Sequence, residues 1–328
     1  EILTIIGGVL VFGDTKSKTV DVRVIAGKKN LSGSVTLETP EGWEIYPELH
    51  EFQLSQKGEE QIFSFKITPP FAASEGFVTA KANVNGETFS KGLKVIDYDH
   101  IPKQTLYPEA KVKVVKLNLV KKGNLLGYIE GAGDAIPENL GQLGYKVEKL
   151  DKDDVNAQNL QKYDAVILGV RAFNTVKWLS YKNTELFEYV NQGGNLIIQY
   201  NTSHRLVTQD IAPYDLKLSR DRVAVEEAPV EILSKDHPVM STPNKITSED
   251  FDGWVQERGL YFPIEWSSEF TPILKSNDPG ESPKTGGFLV AKYGEGYYVY
   301  SGYSWFRELP AGVPGAYRIF VNMISLGK

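Results

Sequence analysis

The sequence predicts two domains of different class. An all-β sandwich of immunoglobulin-like type spans residues 1–98, and an α/β domain with a mostly parallel sheet spans residues 112–328. Three observations carry this division. Up to about residue 98, apolar residues recur at every second position with no helical period. From Lys111 onward, short apolar runs alternate with helix-like segments. Between them, residues 99–111 contain Pro102 and Pro108, which restrict the chain to an extended form and predict a stiff linker.

In the first half, the run Ile2–Phe12 is broken by Thr4, Gly7 and Gly8, predicting a strand pair or one bent strand. It is too short to span a bilayer and lacks a basic leader, so no membrane insertion is expected. Val20, Val22 and Val24 alternate with Asp21 and Arg23, the pattern of a half-buried strand. Phe63, Phe65 and Ile67 repeat it, and Pro69-Pro70 ends the strand because proline cannot continue a ladder. Phe77–Val84 and Thr88–Val95 flank Asn85-Gly86, a pair that adopts positive φ cheaply and so predicts a hairpin.

The second half opens with strands at Val112–Val120 and Leu125–Ile129. A turn at Gly131–Asp134 precedes a short helix over Ile136–Leu143, with Pro137 in its first turn and Gly144 closing it. Val147–Leu150 reads as a strand and Asn156–Lys162 as a helical turn or two. Ala165–Val170 and Leu196–Tyr200 are almost wholly apolar, as strands covered on both faces should be, with a helix over Thr184–Asn191 between them. Residues 206–283 have little periodicity and predict loops and short strands over the sheet. A hairpin over Phe288–Ala291 and Tyr297–Ser301, then an amphipathic helix over Ala316–Leu326, complete the chain.

Composition limits the functions available. At 328 residues, 41% hydrophobic and 24% charged, the chain can fold as two globular domains rather than remain disordered. A net charge of −6 argues against a nucleic-acid partner, which needs a basic stripe. With no cysteine there is no disulfide, no thiolate nucleophile and no cysteine-based metal site. The four histidines, His50, His100, His204 and His237, have no paired helical spacing, so no metal site is expected. Asp151, Asp153 and Asp154 resemble the start of a calcium loop, but Asn156 stands where its glycine belongs. A chain beginning at Glu1 predicts a processed product or part of something longer.

In parallel α/β sheets, chemistry gathers where strands end at their carboxyl edge. That rule collects Glu130 and Asp134 after one strand, Arg171 and Asn174 after the next, and Asn201, His204 and Arg205 after a third. Tyr303, Trp305 and Arg307 follow the late hairpin and can close the same edge. Two readings remain open at this point: a polar ligand pocket, or loops tied down by Arg171 and Arg205 pairing with Glu130 and Asp134. No catalytic residue is assigned. Ser203 and His204 are adjacent, so their side chains diverge, and no glycine-flanked serine elbow exists. Aromatic residues crowd the last third, Trp254, Tyr261, Trp266 and Phe306 among them, and core filling is their expected role.

Two resemblances arise from these residues. The run Glu41-Gly42-Trp43-Glu44-Ile45-Tyr46-Pro47, with Phe63–Pro70, resembles the NEW3-type sandwich that accompanies bacterial carbohydrate-active enzymes. The second half resembles the class I glutamine amidotransferase-like (ThuA-like, flavodoxin-like) fold. More narrowly, Gly127–Asp134, Gly169–Thr175, Gln199–Thr202 and Gly302–Gly312 are similar to the C-terminal region of large Bacteroidetes PIG-L (LmbE-like) deacetylases.

The amidotransferase elbow carries a cysteine, two further residues and a histidine. Its counterpart here is Asn201-Thr202-Ser203-His204, with asparagine in place of the nucleophile. The later histidine-proline-glutamate motif falls near Tyr303–Trp305 without its histidine or glutamate. The deacetylases' zinc-binding histidine-proline-aspartate-aspartate run is not found; His237-Pro238 is followed by Val239 and Met240. The resemblance therefore implies a non-catalytic accessory region of a larger exported N-deacetylase acting on N-acetylated sugars. It would be periplasmic or secreted, with zinc only in a deacetylase domain outside this sequence. Its expected roles are glycan binding, packing on its own catalytic domain, or oligomerisation. The alternative is a hydrolase of unrecognised chemistry using Glu130, Asp134 or His204 as acid or base.

Overall fold

Val20, Val22 and Val24 point into a core while the residues between them do not, as the alternation dictates. In the computed structural model, which describes residues 1–328, this strand lies in the first of two units, Glu1–Asn118 and Leu119–Lys328. Strands of the first unit are β1 (Ile2–Ile6), β2 (Leu10–Phe12), β3 (Lys18–Ile25), β4 (Leu31–Glu38), β5 (Glu44–Tyr46) and β6 (Leu49–Leu54). They continue with β7 (Glu60–Thr68), β8 (Ser74–Val84), β9 (Glu87–Phe89), β10 (Lys94–Ile96), β11 (Gln104–Leu106) and β12 (Lys111–Lys116). One sheet has the order β1-β3-β7-β5, and another β2-β12-β8-β4-β6 with β9 on β8. Phe63, Phe65 and Ile67 of the first sheet share one core with Val35, Val78, Ala80 and Val114 of the second. The unit is a β-sandwich.

Local chemistry explains its turns. The run Ile2–Phe12 becomes two strands in two sheets, β1 on β3 and β2 parallel to β12. The change of sheet falls at Gly7, whose φ of 112° glycine adopts readily. Asn85 (φ 51°) and Gly86 (φ 84°) form the two-residue turn that sets Val84 opposite Glu87. That geometry matches the right-handed twist of the flanking strands.

The middle of the chain differs from expectation. Residues 99–111 are not a plain linker: β10 and β11 pair as an antiparallel hairpin within the first unit. Lys111–Lys116 does not open the second domain either. As β12 it lies between β2 and β8, where Val112 and Val114 complete the sandwich core. The boundary therefore falls after Asn118.

The second unit contains β13 (Leu125–Ile129), α1 (Ile136–Gln142), β14 (Lys146–Lys149), α2 (Ala157–Leu160), β15 (Ala165–Leu168), α3 (Ala172–Thr175), α4 (Leu179–Asn191) and β16 (Asn195–Gln199). After these come β17 (Leu216–Val223), β18 (Val230–Ile232), α5 (Pro238–Ser241), a 3-10 turn at Ser248–Phe251, β19 (Gly259–Trp266), β20 (Phe270–Pro272) and β21 (Leu274–Ser276). The chain ends with β22 (Phe288–Tyr293), β23 (Gly296–Ser301), α6 (Trp305–Glu308) and α7 (Pro314–Ile324). The main sheet has the order β14-β13-β15-β16-β23-β22-β20. β14, β13, β15, β16 and β23 run parallel, while β22 and β20 add antiparallel pairs at one side.

Every residue of β15 and β16 is buried, which explains the unbroken apolar run of β15 and the Leu196–Ile198 centre of β16. Helix is sparser than the expected alternation implies. Only α4 and α7 exceed eight residues, and over the whole chain strands make up 39% and helices 16%. The chain is mostly β.

One helix is more enclosed than its amphipathic pattern implies: in α7, Ala316, Tyr317 and all of Ile319–Ile324 are buried. Its outer side is covered by α5 and the Ser248–Phe251 turn, which the sequence shows no period for. Asn322 bonds the Val239 carbonyl at 3.0 Å and the Asn244 carbonyl at 2.7 Å, so its buried amide is satisfied.

Candidate functional site at the carboxyl edge of the sheet

Because β13, β15, β16 and β23 are parallel, the four loops leaving them emerge on one side. Backbone bonds join the first three in series. Ala132 donates to the Val170 carbonyl at 2.8 Å, and Arg171 donates to the Tyr200 carbonyl at 2.8 Å. Gly131 permits the first of these contacts: a Cβ there would meet the Val170 oxygen at 2.1 Å. Of the residues expected from sequence, those on the loops after β13, β15 and β16 are gathered here, but most are already engaged.

Asn201, in the turn that follows β16, is completely buried. Its Oδ1 accepts from the Phe173 N–H at 2.9 Å, and its Nδ2 donates to the Gln199 carbonyl at 2.9 Å. Asn174 clamps the same turn: its Oδ1 accepts from the Thr202 N–H at 2.9 Å, and its Nδ2 donates to the His204 carbonyl at 3.1 Å. These asparagines form the turn. Neither has a free end for a substrate.

Asp134 joins the loops. Its Oδ1 accepts from the Tyr128 hydroxyl at 2.5 Å and the Ile136 N–H at 3.0 Å; its Oδ2 accepts from the Val170 N–H at 3.0 Å. Gln199 Nε2 approaches the same oxygen at 3.5 Å. Burial, reinforced by the neighbouring Asp134 carboxylate, holds the Tyr128 hydroxyl well above the usual phenol range. Tyr128 therefore keeps its proton and is the hydrogen-bond donor to Asp134. Glu130 is exposed and pairs with Lys149 at 3.0 Å. The expected pairing of Arg171 and Arg205 with Glu130 and Asp134 does not form. Backbone donors and a tyrosine reach Asp134 first, and a lysine on β14 reaches Glu130 first.

Tyr303 and Trp305 are core residues, not edge residues. Tyr303 bonds Ser276 Oγ at 3.0 Å, Trp305 Nε1 donates to Ser301 Oγ at 2.8 Å, and both rings pack on Trp254. Aromatic bulk at these positions fills the space between the hairpin and its covering loops.

A half-exposed aromatic shelf remains. Tyr200 stacks on Tyr261 with ring centroids 6.2 Å apart and planes within 7°, and Phe306 lies 5.3 Å from Tyr200. Arg307 crosses the Phe306 ring at 4.9 Å and donates to Glu257 Oε1 at 2.6 Å and to the Gln256 side chain. His204 is exposed, 6.2 Å from the Tyr261 ring. Arg205 is also exposed. Burial raises the Tyr200 hydroxyl above its ordinary pKa, against the pull of Arg171 and Arg307.

The backbone is unusual at this edge. Arg171, Arg205, Gln256 and Tyr261 all have φ between 54° and 68°, a region costly for residues with a Cβ. Arg171 Nε is buried without a hydrogen-bond partner. Beneath the shelf, Glu308 is fully buried: Oε2 accepts from the Val255 N–H at 3.0 Å, and Oε1 has no partner.

Chemically, the edge can present rings and guanidinium groups to a ligand, but it holds no activated nucleophile. No hydrogen bond joins His204 to a carboxylate or to Ser203. No group of three or more His, Asp or Glu side chains is placed to hold a metal ion. Sequence reasoning missed Gln256 and Glu257. The Glu257–Arg307 pair spans 50 positions, and nothing local to either residue announces the other.

No family profile matches the chain, and no curated protein does. Among solved structures, the chain is similar to WR4, a C. elegans MSP family member. That match has 8% identity and a TM-score of 0.22, covering 35% of this chain and 98% of the other. A class 5 fimbriae chaperone, CfaA, matches at 11% identity and a TM-score of 0.21, covering 37% and 61%. An uncharacterised Nocardia farcinica protein with an immunoglobulin-like fold matches at 16% identity and a TM-score of 0.17, covering 32% and 95%. At these scores the likenesses indicate neither activity nor partner. No helix is long and apolar enough to cross a membrane.

Proposed function

We propose that this chain is a non-catalytic accessory region of a larger exported N-deacetylase acting on N-acetylated sugars. In this reading, the first unit is a NEW3-like spacer. The second is a class I amidotransferase-like, flavodoxin-like domain that has lost its nucleophile and serves in glycan binding, packing on the catalytic domain or oligomerisation. The observation that supports it is Asn201. An amide stands where the fold's reactive group belongs, and both its ends are bonded to backbone inside the protein. Group transfer by that route needs an activated nucleophile within reach of a base, and neither is present. Asp134, with its acceptor sites filled by structural donors, is unsuited to moving protons during turnover.

Two measurements test the proposal. The coding sequence upstream of Glu1 should specify a domain bearing the zinc-binding histidine-proline-aspartate-aspartate run; a different domain there overturns it. The chain alone should turn over no ester, amide or N-acetylated sugar. Hydrolysis that disappears in Glu130→Gln or His204→Ala establishes the rival hydrolase reading instead.

A further inference from the structure

A groove of the second unit lies away from the shelf, between α4, the segment Gln209–Lys217 and the end of β19, with a volume of about 970 Å³. That size suits a ligand of one to a few sugar rings. Aromatic side chains line it from three directions. Tyr181 stands on α4 and is 62% exposed; Trp266 ends β19; Tyr214 and Tyr293 meet edge to face at 5.4 Å. Such rings offer flat apolar faces for the C–H side of a sugar and negative faces for a cation.

The charge in the groove is one-sided. Asp210, Asp215 and Glu265 line it against a single lysine, Lys217, which Glu265 already neutralises at 2.7 Å. Asp210 and Asp215 are exposed and have no cationic partner. Both are held by their backbones: the Asp210 carbonyl accepts from Asn183 Nδ2 at 2.7 Å, and the Asp215 carbonyl accepts from the Ser267 N–H at 3.0 Å. The two aspartates thus line the groove on anchored backbone, with their side chains open to solvent.

From the aromatic lining and the two unpaired carboxylates together, we propose that this groove binds a glycan carrying a free ammonium group, an amino sugar without its N-acetyl group. Ring stacking supplies affinity for the sugar. Asp210 and Asp215 select the charged amine over the neutral acetamide, because the acetamide leaves both carboxylates uncompensated. The sugar as carrier of the ammonium rests on the accessory-region reading above; the cation preference rests on the groove alone.

Isothermal calorimetry at about pH 6, where sugar amines and carboxylates are both charged, tests this with three tetramers of matched length: glucosamine, N-acetylglucosamine and glucose. The glucosamine tetramer should bind at least tenfold more tightly than the other two and weaken with added salt. Tyr181→Ala, on an exposed helical position, should weaken it about tenfold, and Asp215→Asn should remove most of the preference for the amine. Trp266→Ala serves as a further check once its thermal unfolding confirms a folded chain. Equal binding of the three tetramers, or none, overturns the inference. That outcome leaves the accessory-region reading standing, since the latter is decided by the upstream domain and by hydrolysis.

Discussion

Replacing Glu308 by glutamine should remove a pH-dependent weakness from the second unit. The Glu308 carboxyl is fully buried, and one of its oxygens has no partner. Burial pushes its pKa from 4.5 up to about 8, partly opposed by the Val255 N–H and by Arg258. Between those two values the folded chain holds a proton that the unfolded chain has released. Stability must therefore fall as pH rises through that window and level off above it. At about 1.4 kcal/mol per tenfold difference in proton affinity, the gap sets a ceiling of roughly 5 kcal/mol. Relaxation around the charge and the nearby Arg258 guanidinium reduce the expected effect to about 2–3 kcal/mol. Glutamine has the same shape, keeps an oxygen for the Val255 N–H and carries no charge. Urea unfolding of the second unit should show Glu308→Gln matching the parent near pH 5 and exceeding it by that amount near pH 8.5. Parallel pH profiles for the two proteins would refute the reasoning, since the carboxyl would then not be the titrating group.

Further outcomes follow from the loops at the sheet edge and from the sandwich. Gly131→Ala should destabilise the second unit by about 2 kcal/mol or more, read by thermal unfolding, because its Cβ meets the Val170 oxygen at 2.1 Å. Asn201→Ala should cost about 2–4 kcal/mol, read by chemical denaturation, by leaving the Phe173 N–H and the Gln199 carbonyl without this partner in the interior. Asp134→Ala should cost a similar amount, and Asp134→Asn less, measured by chemical denaturation, because the amide still accepts from some of the same donors. Gly86→Val should lower the sandwich transition by about 1–2 kcal/mol, since φ is 84° in a turn that fixes the hairpin register.

What the sequence made legible was local in origin. Val20–Val24 and Phe63–Ile67 carry their own period, and Asn85-Gly86 carries its own turn, so each was readable within a few residues. Ala165–Leu168 declared itself by being apolar throughout, and Asn195–Gln199 by its apolar centre Leu196–Ile198. Lys111–Lys116 shows the limit of such reading. Its pattern marks a strand, but its partners β2 and β8 lie about a hundred and about 35 positions back, and nothing within it selects them over β13. The edge behaves similarly. Asn174, Asn201 and Asp134 were found by the position of strand ends, whereas their bonding to backbone depends on how neighbouring loops meet. Trp305 and Tyr303 were misread as edge groups because an aromatic ring looks the same in sequence whether it covers a ligand or a core.

β12 has a practical consequence for anyone dividing this protein. It is an inner strand of its sheet although it comes last in its unit, and it closes the sandwich only after the β10–β11 excursion returns. A truncation after residue 98 or 111 would strip it away and bare the lengthwise hydrogen-bonding edges of both β8 and β2, inviting sticky self-association between copies. Severing the chain after Asn118 keeps that ladder whole, so the last link in the polypeptide is the one that makes the amino-terminal half safe to isolate.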